Sequence, residues 1–174
     1  MLGLKPKKKA KVMNIVDDSD EALESYFKEA EHKMNQLHSG IDPTLLVPLF
    51  KIGMVYTQRG VNTFAEFAGN VADRLGEKIR PWLRAAWETV QAYPKDLPFN
   101  EKHMNAVFTY VGSRVGEGAS LEDIKRDFAD AYGTEETKPF MPMFDCAYKG
   151  VQTYLNEKGD SSNADDSTGK LALS

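Results

Sequence analysis

Apolar residues recur at spacings of three and four along most of this chain, the pattern of amphipathic helices. The clearest case lies in 60–90, where Thr63 and Glu66 form a capping box and a glycine separates two apolar stripes. These signals predict a pair of helices over 63–75 and 78–92. The residues predicted to form the core of this pair are Phe64, Phe67, Leu75, Gly76, Pro81, Trp82 and Trp87.

The same reasoning predicts five more helices. Their expected starts are Ser19, Asp42, Asn100, Ser120 and the Pro139–Pro142 corner, and their expected stops are Gly40, Gly60, Gly116, Gly133 and Gly159. Pro48 leaves two possibilities for the second helix, which either begins near this proline or is kinked there. No strand pattern and no internal repeat is evident. The sequence therefore predicts an all-α fold, a compact bundle of six to seven short helices.

Both ends of the chain differ in composition from the middle. A block of like charges repels itself rather than folds, and a Ser-, Asn- and Asp-rich end has little to bury. We therefore predict a flexible basic arm over 1–17, a single helical domain over 18–158 and a disordered polar tail over 159–174. The lysines of the arm are Lys5, Lys7, Lys8, Lys9 and Lys11.

Composition narrows the class of protein. A length of 174 residues suits one domain, and a net charge of −4 argues against a protein that coats nucleic acid over its whole surface. The single cysteine, Cys146, excludes an intramolecular disulfide and suits a reducing cytoplasm. No apolar run approaches the roughly 20 residues that span a bilayer, and no apolar stretch follows the N-terminal lysines. We expect a soluble cytoplasmic protein that does not bind membranes.

Catalytic and metal-binding patterns are not found in the sequence. His32, His38 and His103 are scattered, and none has the spacing of a metal site. Cys146 lies beside an apolar stripe without a nearby histidine, which favours a buried structural thiol. We therefore predict no catalytic residue, no metal and no cofactor, and expect that the protein is not an enzyme.

The helix pair 63–75 and 78–92 also has the spacing of a helix-turn-helix motif. Its second helix would present Lys78, Arg80 and Arg84 to DNA, and arginine contacts phosphates and guanines well. Two residues argue against this, because Trp82 is large for its packing position and Pro81 lies where a recognition helix usually meets the groove.

The lysine arm is a second candidate for contact with DNA phosphates. Its segment 6–12 is also similar to a monopartite nuclear-import signal. An arm of this kind equally suits a solubilising tail, or folds back on the acidic run that follows it. The sequence does not decide among these roles.

The stretch 60–90 resembles a short helical segment of polyvalent proteins, which are very large multidomain proteins of bacteriophages and other mobile elements. The resemblance implies a phage or mobile-element origin and a small helical protein that binds host or defence machinery. The DNA-processing domains of those proteins do not accompany the segment here, so no activity follows from it. The matching residues are Gly60, Phe64, Ala65, Phe67, Ala68, Leu75, Gly76, Ile79, Pro81, Trp82, Leu83 and Trp87.

Three functions are compatible with these features. The leading hypothesis is a non-enzymatic interaction protein that binds a host or defence protein of DNA metabolism, with the acidic stretches 17–31 and 157–166 competing for a basic surface. The first alternative is a DNA-binding accessory protein that uses the lysine arm and the helix pair. The second is a structural or assembly protein that forms a homo-oligomer. Its interface would use exposed residues of the first and last helices, namely Tyr26, Phe27, Tyr148 and Tyr154.

Overall fold

The computed structural model describes residues 15–37 and 42–167, with side chains described as far as Glu157. Within these ranges every regular element is helical, as predicted, and seven helices have twelve or more residues. They are α1 (Asp20–Gln36), α2 (Leu46–Gln58), α3 (Phe64–Leu75), α4 (Arg80–Ala92), α5 (Glu101–Gly116), α6 (Leu121–Tyr132) and α8 (Met141–Ser167), and the four-residue α7 (Thr134–Thr137) lies before the last of them. Single 3₁₀ turns precede α2, α4 and α8 at Pro43–Leu45, Glu77–Ile79 and Lys138–Phe140.

Local capping fixes the starts of most of these helices, as the sequence predicts. At each cap a side-chain oxygen accepts a hydrogen bond from a backbone N–H of the first turn, which would otherwise lack a partner. The pairs are Ser19 with Ala22, Thr63 with Glu66, Asn100 with His103 and Ser120 with Asp123. Helices α3 and α6 end at Gly76 and Gly133, which have φ angles of +91° and +102°.

Helix α4 lies at the centre of the bundle, where it packs most extensively on α8 and also on α2 and α3. Seven of its thirteen residues are buried, including both tryptophans. The Trp82 ring stacks on Tyr154 of α8 at a centroid distance of 4.2 Å, and Trp87 stacks on Phe67 of α3 at 5.0 Å. The prediction that the tryptophans belong to the core is confirmed.

Pro48 lies in the first turn of α2, which begins at Leu46. The first turn is the place where a missing backbone N–H is tolerated, because that N–H has no partner within the helix. The first of the two predicted possibilities, a start near Pro48, is therefore close to the observed geometry.

The predicted stop of the first helix, Gly40, lies outside the described residues.

Two predicted boundaries differ from the structure. The predicted arm includes residues 15–17, but the backbone N–H groups of Ile15 and Val16 donate to Gln58 Oε1, and Val16 is buried. These two apolar residues have a core to pack against, so that they belong to the folded domain. Helix α8 continues to Ser167, beyond the stop predicted at Gly159, since glycine weakens a helix without forbidding it. The predicted tail from 168 onwards, and the arm over 1–14, lie outside the described residues.

Candidate functional site

A groove of about 680 Å³ opens between α5, α6 and the residues that lead into α8. We call it the aromatic groove, because four aromatic rings contribute to its lining. Its lining residues are Asn105, Ala106, Thr109, Tyr110, Phe128, Tyr132, Glu136, Thr137 and Phe140.

Phe128 is at the centre of the ring cluster. It lies one helical turn before Tyr132, so that both side chains point from the same face of α6. The Phe128 centroid lies 4.9 Å from that of Tyr132, 5.1 Å from Tyr110 and 5.5 Å from Phe140. Phe144 of α8, which is fully buried, supports Phe128 from below at 5.0 Å. The cluster is thus anchored in the core and is not a loose surface patch.

Tyr132 is unusual for its exposure. Its side chain is 62% accessible to solvent, whereas Tyr154 of α8 is 5% accessible. It is the one large hydrophobic residue classed as exposed in the part of the chain that the structure describes. A rigid ring on the edge of an aromatic-lined groove is typical of a surface that binds a partner.

The groove contains few polar groups, and Glu136 alone among the described lining residues is charged. Its carboxylate lies against Gly133, where a Cβ atom would collide with it. The Thr137 hydroxyl already donates to the Gly133 carbonyl at 2.8 Å. The amide oxygen of Asn105 is buried and accepts no hydrogen bond within the described residues.

Two cations near the groove, Arg114 and Lys138, are held by other carboxylates. Arg114 lies over the Tyr110 ring at 5.8 Å, and its guanidinium is paired with Asp127 at 2.7 Å. Lys138 lies 3.8 Å from Glu135. Glu136 forms no ion pair within the described ranges, so that its charge is available at the groove.

A second polar cluster surrounds Lys51 of α2, which is 4% exposed. Its ammonium group lies 2.8 Å from Glu29 of α1, 3.0 Å from Glu101 of α5 and 4.7 Å from the centre of the Tyr26 ring. Burial lowers the pKa of Lys51, but the hydrogen bonds to both carboxylates outweigh it and raise the pKa above its ordinary value. The amine therefore stays protonated and joins three helices, which suits a structural role and not that of a nucleophile or base.

Cys146 is fully buried in α8, and its thiol donates to the Met143 carbonyl at 3.3 Å. Burial raises the pKa of this thiol to about 12. The reactive thiolate is therefore scarce at neutral pH. The structure agrees with the prediction of a buried structural cysteine.

The histidines are not brought together. His103 packs on the Phe140 ring at 4.4 Å, His32 is exposed on α1, and His38 lies outside the described residues. Among the residues described, no group of three or more His, Cys, Asp and Glu side chains is arranged to hold a metal ion. None of the described helices is both long and apolar enough to cross a membrane.

Two of the three predicted DNA-contacting residues of the helix pair already contact other side chains. Lys78 is exposed, Arg80 is bound to Glu77 at 2.6 Å, and the Arg84 guanidinium stacks over the Phe64 ring at 3.8 Å. Because α2, α3 and α8 cover most of α4, this helix has little free surface to enter a major groove. DNA binding by the pair stays a prediction, and the packing argues against it. Lys5, Lys7, Lys8, Lys9 and Lys11 lie outside the described residues.

Salt dependence separates the two DNA candidates. If the arm binds DNA phosphates, replacing its five lysines with alanine lowers the slope of log K against log salt by about 0.9 for each phosphate that is no longer neutralised. Replacing Arg80 and Arg84 together serves as the matched control, and we expect it to leave the slope unchanged. The measurement is a fluorescence titration of duplex DNA at several salt concentrations. An unchanged slope in the lysine variant would exclude the arm as the DNA-binding element.

The proposed oligomer interface is partly wrong. Phe27 and Tyr154 were expected to be exposed, yet they are 2% and 5% accessible. Phe27 packs beneath the Arg74 guanidinium at 4.2 Å, and Tyr154 stacks on Trp82. Tyr26 and Tyr148 are half-buried. Both buried rings belong to the chain's own core, because α1 packs on α2 and α3, and α8 packs on α4.

The aromatic groove was missed by the sequence reasoning. The sequence signals give Ser120 and Gly133 as the start and stop of α6 and do not single out Tyr132, its last residue. The spacing Ile124, Phe128, Tyr132 is a signal that continues an apolar stripe to the last residue of α6. What the sequence does not indicate is that the end of the stripe remains exposed.

No family model matches this chain, and neither a curated protein nor a solved structure matches it. The resemblance of 60–90 to the segment of polyvalent proteins therefore stays a prediction. The lining residues of the aromatic groove are therefore the evidence for what it binds.

Proposed function

We propose that this protein acts by binding, without catalysis, and that a helical segment of a partner protein occupies the aromatic groove. The observation that carries the proposal is the exposure of Tyr132 beside three further rings. Tyrosine supplies a large contact area and loses little conformational entropy on binding, and such residues dominate the energetics of protein interfaces. A monomer would leave this area in water with no gain in stability.

The shape of the groove supports a protein segment rather than a small molecule. Small-molecule pockets enclose most of the ligand surface, whereas this groove is open to solvent. Two helices, α5 and α6, form its walls. This arrangement suits the mode in which an amphipathic helix inserts apolar side chains, about one turn apart, between two helices.

The partner that we propose is a host or defence protein of DNA metabolism, encountered in the cytoplasm. This part of the proposal rests on the resemblance of 60–90, which implies a phage or mobile-element origin. A second copy of the chain is the alternative occupant, as in the homo-oligomer hypothesis. The two differ in a simple property, because only self-association makes the mass in solution depend on protein concentration.

Selection from a displayed library of helical peptides tests the groove directly. We expect the peptides selected on the wild-type protein to bind the Tyr132→Ala variant at least about tenfold more weakly, since a truncated interface aromatic commonly costs about 2 kcal/mol or more. The Tyr148→Ala variant is the control, because Tyr148 is a half-buried tyrosine of α8 that does not line the groove. Selected peptides that bind both variants as tightly as the wild type would contradict the proposal.

A further inference from the structure

We infer that the partner places a lysine or arginine side chain in the aromatic groove, with its cationic group at Glu136. This inference rests on the proposed function, because it names the chemistry of the segment that the groove binds. Two features of the lining support it: the rings and the carboxylate.

The rings suit a cation with an apolar stem. Tyr110, Phe128, Tyr132 and Phe140 line one groove, and the face of each ring attracts a positive charge through its quadrupole. The methylene groups of a lysine or arginine side chain pack on such rings while the charged end stays beyond them. The protein already uses this contact next to the groove, where Arg114 lies over Tyr110.

Glu136 provides the matching charge. It is the charged side chain of the described lining, and it has no cation partner in the described ranges, while Arg114 and Lys138 are held by Asp127 and Glu135. An incoming cation therefore does not compete with an internal one. A purely apolar segment would instead shield Glu136 from water without replacing its lost hydration, which is unfavourable.

The charges around the groove also orient the segment. Glu136 lies on the α7 side, whereas Lys102 is exposed on the α5 side, about one turn before Ala106. The cation of the partner is thus drawn toward the α7 wall, and an acidic residue of the same segment would be favoured near Lys102.

The binding of the peptides selected on the wild type to a Glu136→Gln variant tests this inference. We expect peptides selected on the wild type to carry lysine or arginine at one fixed position, and its replacement by methionine to weaken binding about tenfold. That tenfold difference should disappear in the Glu136→Gln variant. It should persist in Glu122→Gln, the matched control, because Glu122 is exposed on α6 and does not line the groove.

The outcomes separate this inference from the proposed function. Peptides that depend on Tyr132 but carry no fixed cation would overturn the inference and leave the proposed function standing. Peptides that ignore Tyr132 would overturn both. Tighter peptide binding after Lys5, Lys7, Lys8, Lys9 and Lys11 are changed to glutamine would place the chain's own arm in the groove, and would overturn the assignment to a partner. Because Glu136 is exposed, equal thermal stability of the Gln variants is expected and excludes misfolding as the cause.

Discussion

Replacing Gly150 with alanine is expected to lower the free energy of unfolding by about 2 kcal/mol, although alanine favours a helix. The reason is the close approach of α8 to α4, the most extensive contact between helices in the described fold. A Cβ atom at Gly150 would collide with the Thr89 hydroxyl oxygen. Thr89 is itself fully buried and donates to the Ala85 carbonyl at 2.8 Å, so that it has no space to move away.

A second substitution should restore much of this loss. In the Thr89→Ala, Gly150→Ala double variant the colliding oxygen is gone, and the new Cβ would lie 3.5 Å from the carbonyl oxygen of Ala85, an ordinary contact. We expect a favourable coupling of at least about 1 kcal/mol in a double-mutant cycle measured by urea unfolding. Coupling near zero would show that the helices do not approach as closely as described.

Gly69 is the matched control for this experiment. It also lies inside a helix, α3, but a Cβ atom there would meet nothing within 4 Å. Gly69→Ala is therefore expected to stabilise the protein by about 0.5 to 1 kcal/mol through helix propensity alone. Stability changes of opposite sign at these two helical glycines would show that the loss at Gly150 is steric. A stabilising Gly150→Ala would contradict it.

Most of the helix boundaries were predictable because the physics that fixes them is local. Thr63, Asn100 and Ser120 cap their helices with a hydrogen bond that spans three residues. Gly76 and Gly133 stop α3 and α6 with positive φ angles that glycine adopts readily. The all-α class follows from these signals together with the helical spacing of the apolar residues.

Contacts between distant residues were not predictable in the same way. Nothing in the sequence distinguishes Gly150, which lies against Thr89, from Gly69, which faces open space. Phe27 and Tyr154 were expected at the surface for the same reason, because the face of a helix that is buried depends on helices far away in sequence. The sequence alone does not show which helix packs against each face, and therefore does not show which face is buried.

The candidate site was likewise predictable in its local spacing and not in its contacts between distant residues. The stripe Ile124, Phe128, Tyr132 is visible in the sequence as helical spacing, but the groove exists only because α5 and Phe140 come to lie beside it. Arg84 is a second example. The helix-turn-helix alternative presents it to DNA, and the sequence does not indicate that it stacks on Phe64, a residue of the preceding helix α3.

Replacing Lys51 with alanine is expected to cost about 2 to 3 kcal/mol of the free energy of unfolding. The substitution removes a buried stem and leaves Glu29 and Glu101 close to each other without the cation that joins them. The side chains of Glu29 and Glu101 are 29% and 44% exposed, so that water partly replaces the lost cation and the cost stays below that of a fully buried pair. Urea unfolding at neutral pH measures the effect.

Lys51→Met separates the charge from the packing. Methionine keeps most of the stem in place, and we therefore expect a smaller loss, of about 1 to 2 kcal/mol, that reflects the ion pairs. Changing Glu29 and Glu101 to glutamine in the methionine background should have little further effect. If the alanine and methionine variants lose the same stability, the ion pairs carry the whole contribution and the packing of the stem carries none.

The pH dependence of the free energy of unfolding distinguishes the charge of Lys51 from a role in packing alone. Its pKa is raised in the folded protein, so that the contribution of its charge is fully present below the ordinary value of 10.5 and is lost as the pH rises through the higher folded value. The stability difference between the wild type and Lys51→Met should therefore be constant from pH 7 to about 9 and shrink in alkali, above about pH 10.5. A difference that stays the same in strong alkali would mean that the protonated amine does not join α1, α2 and α5 through its charge.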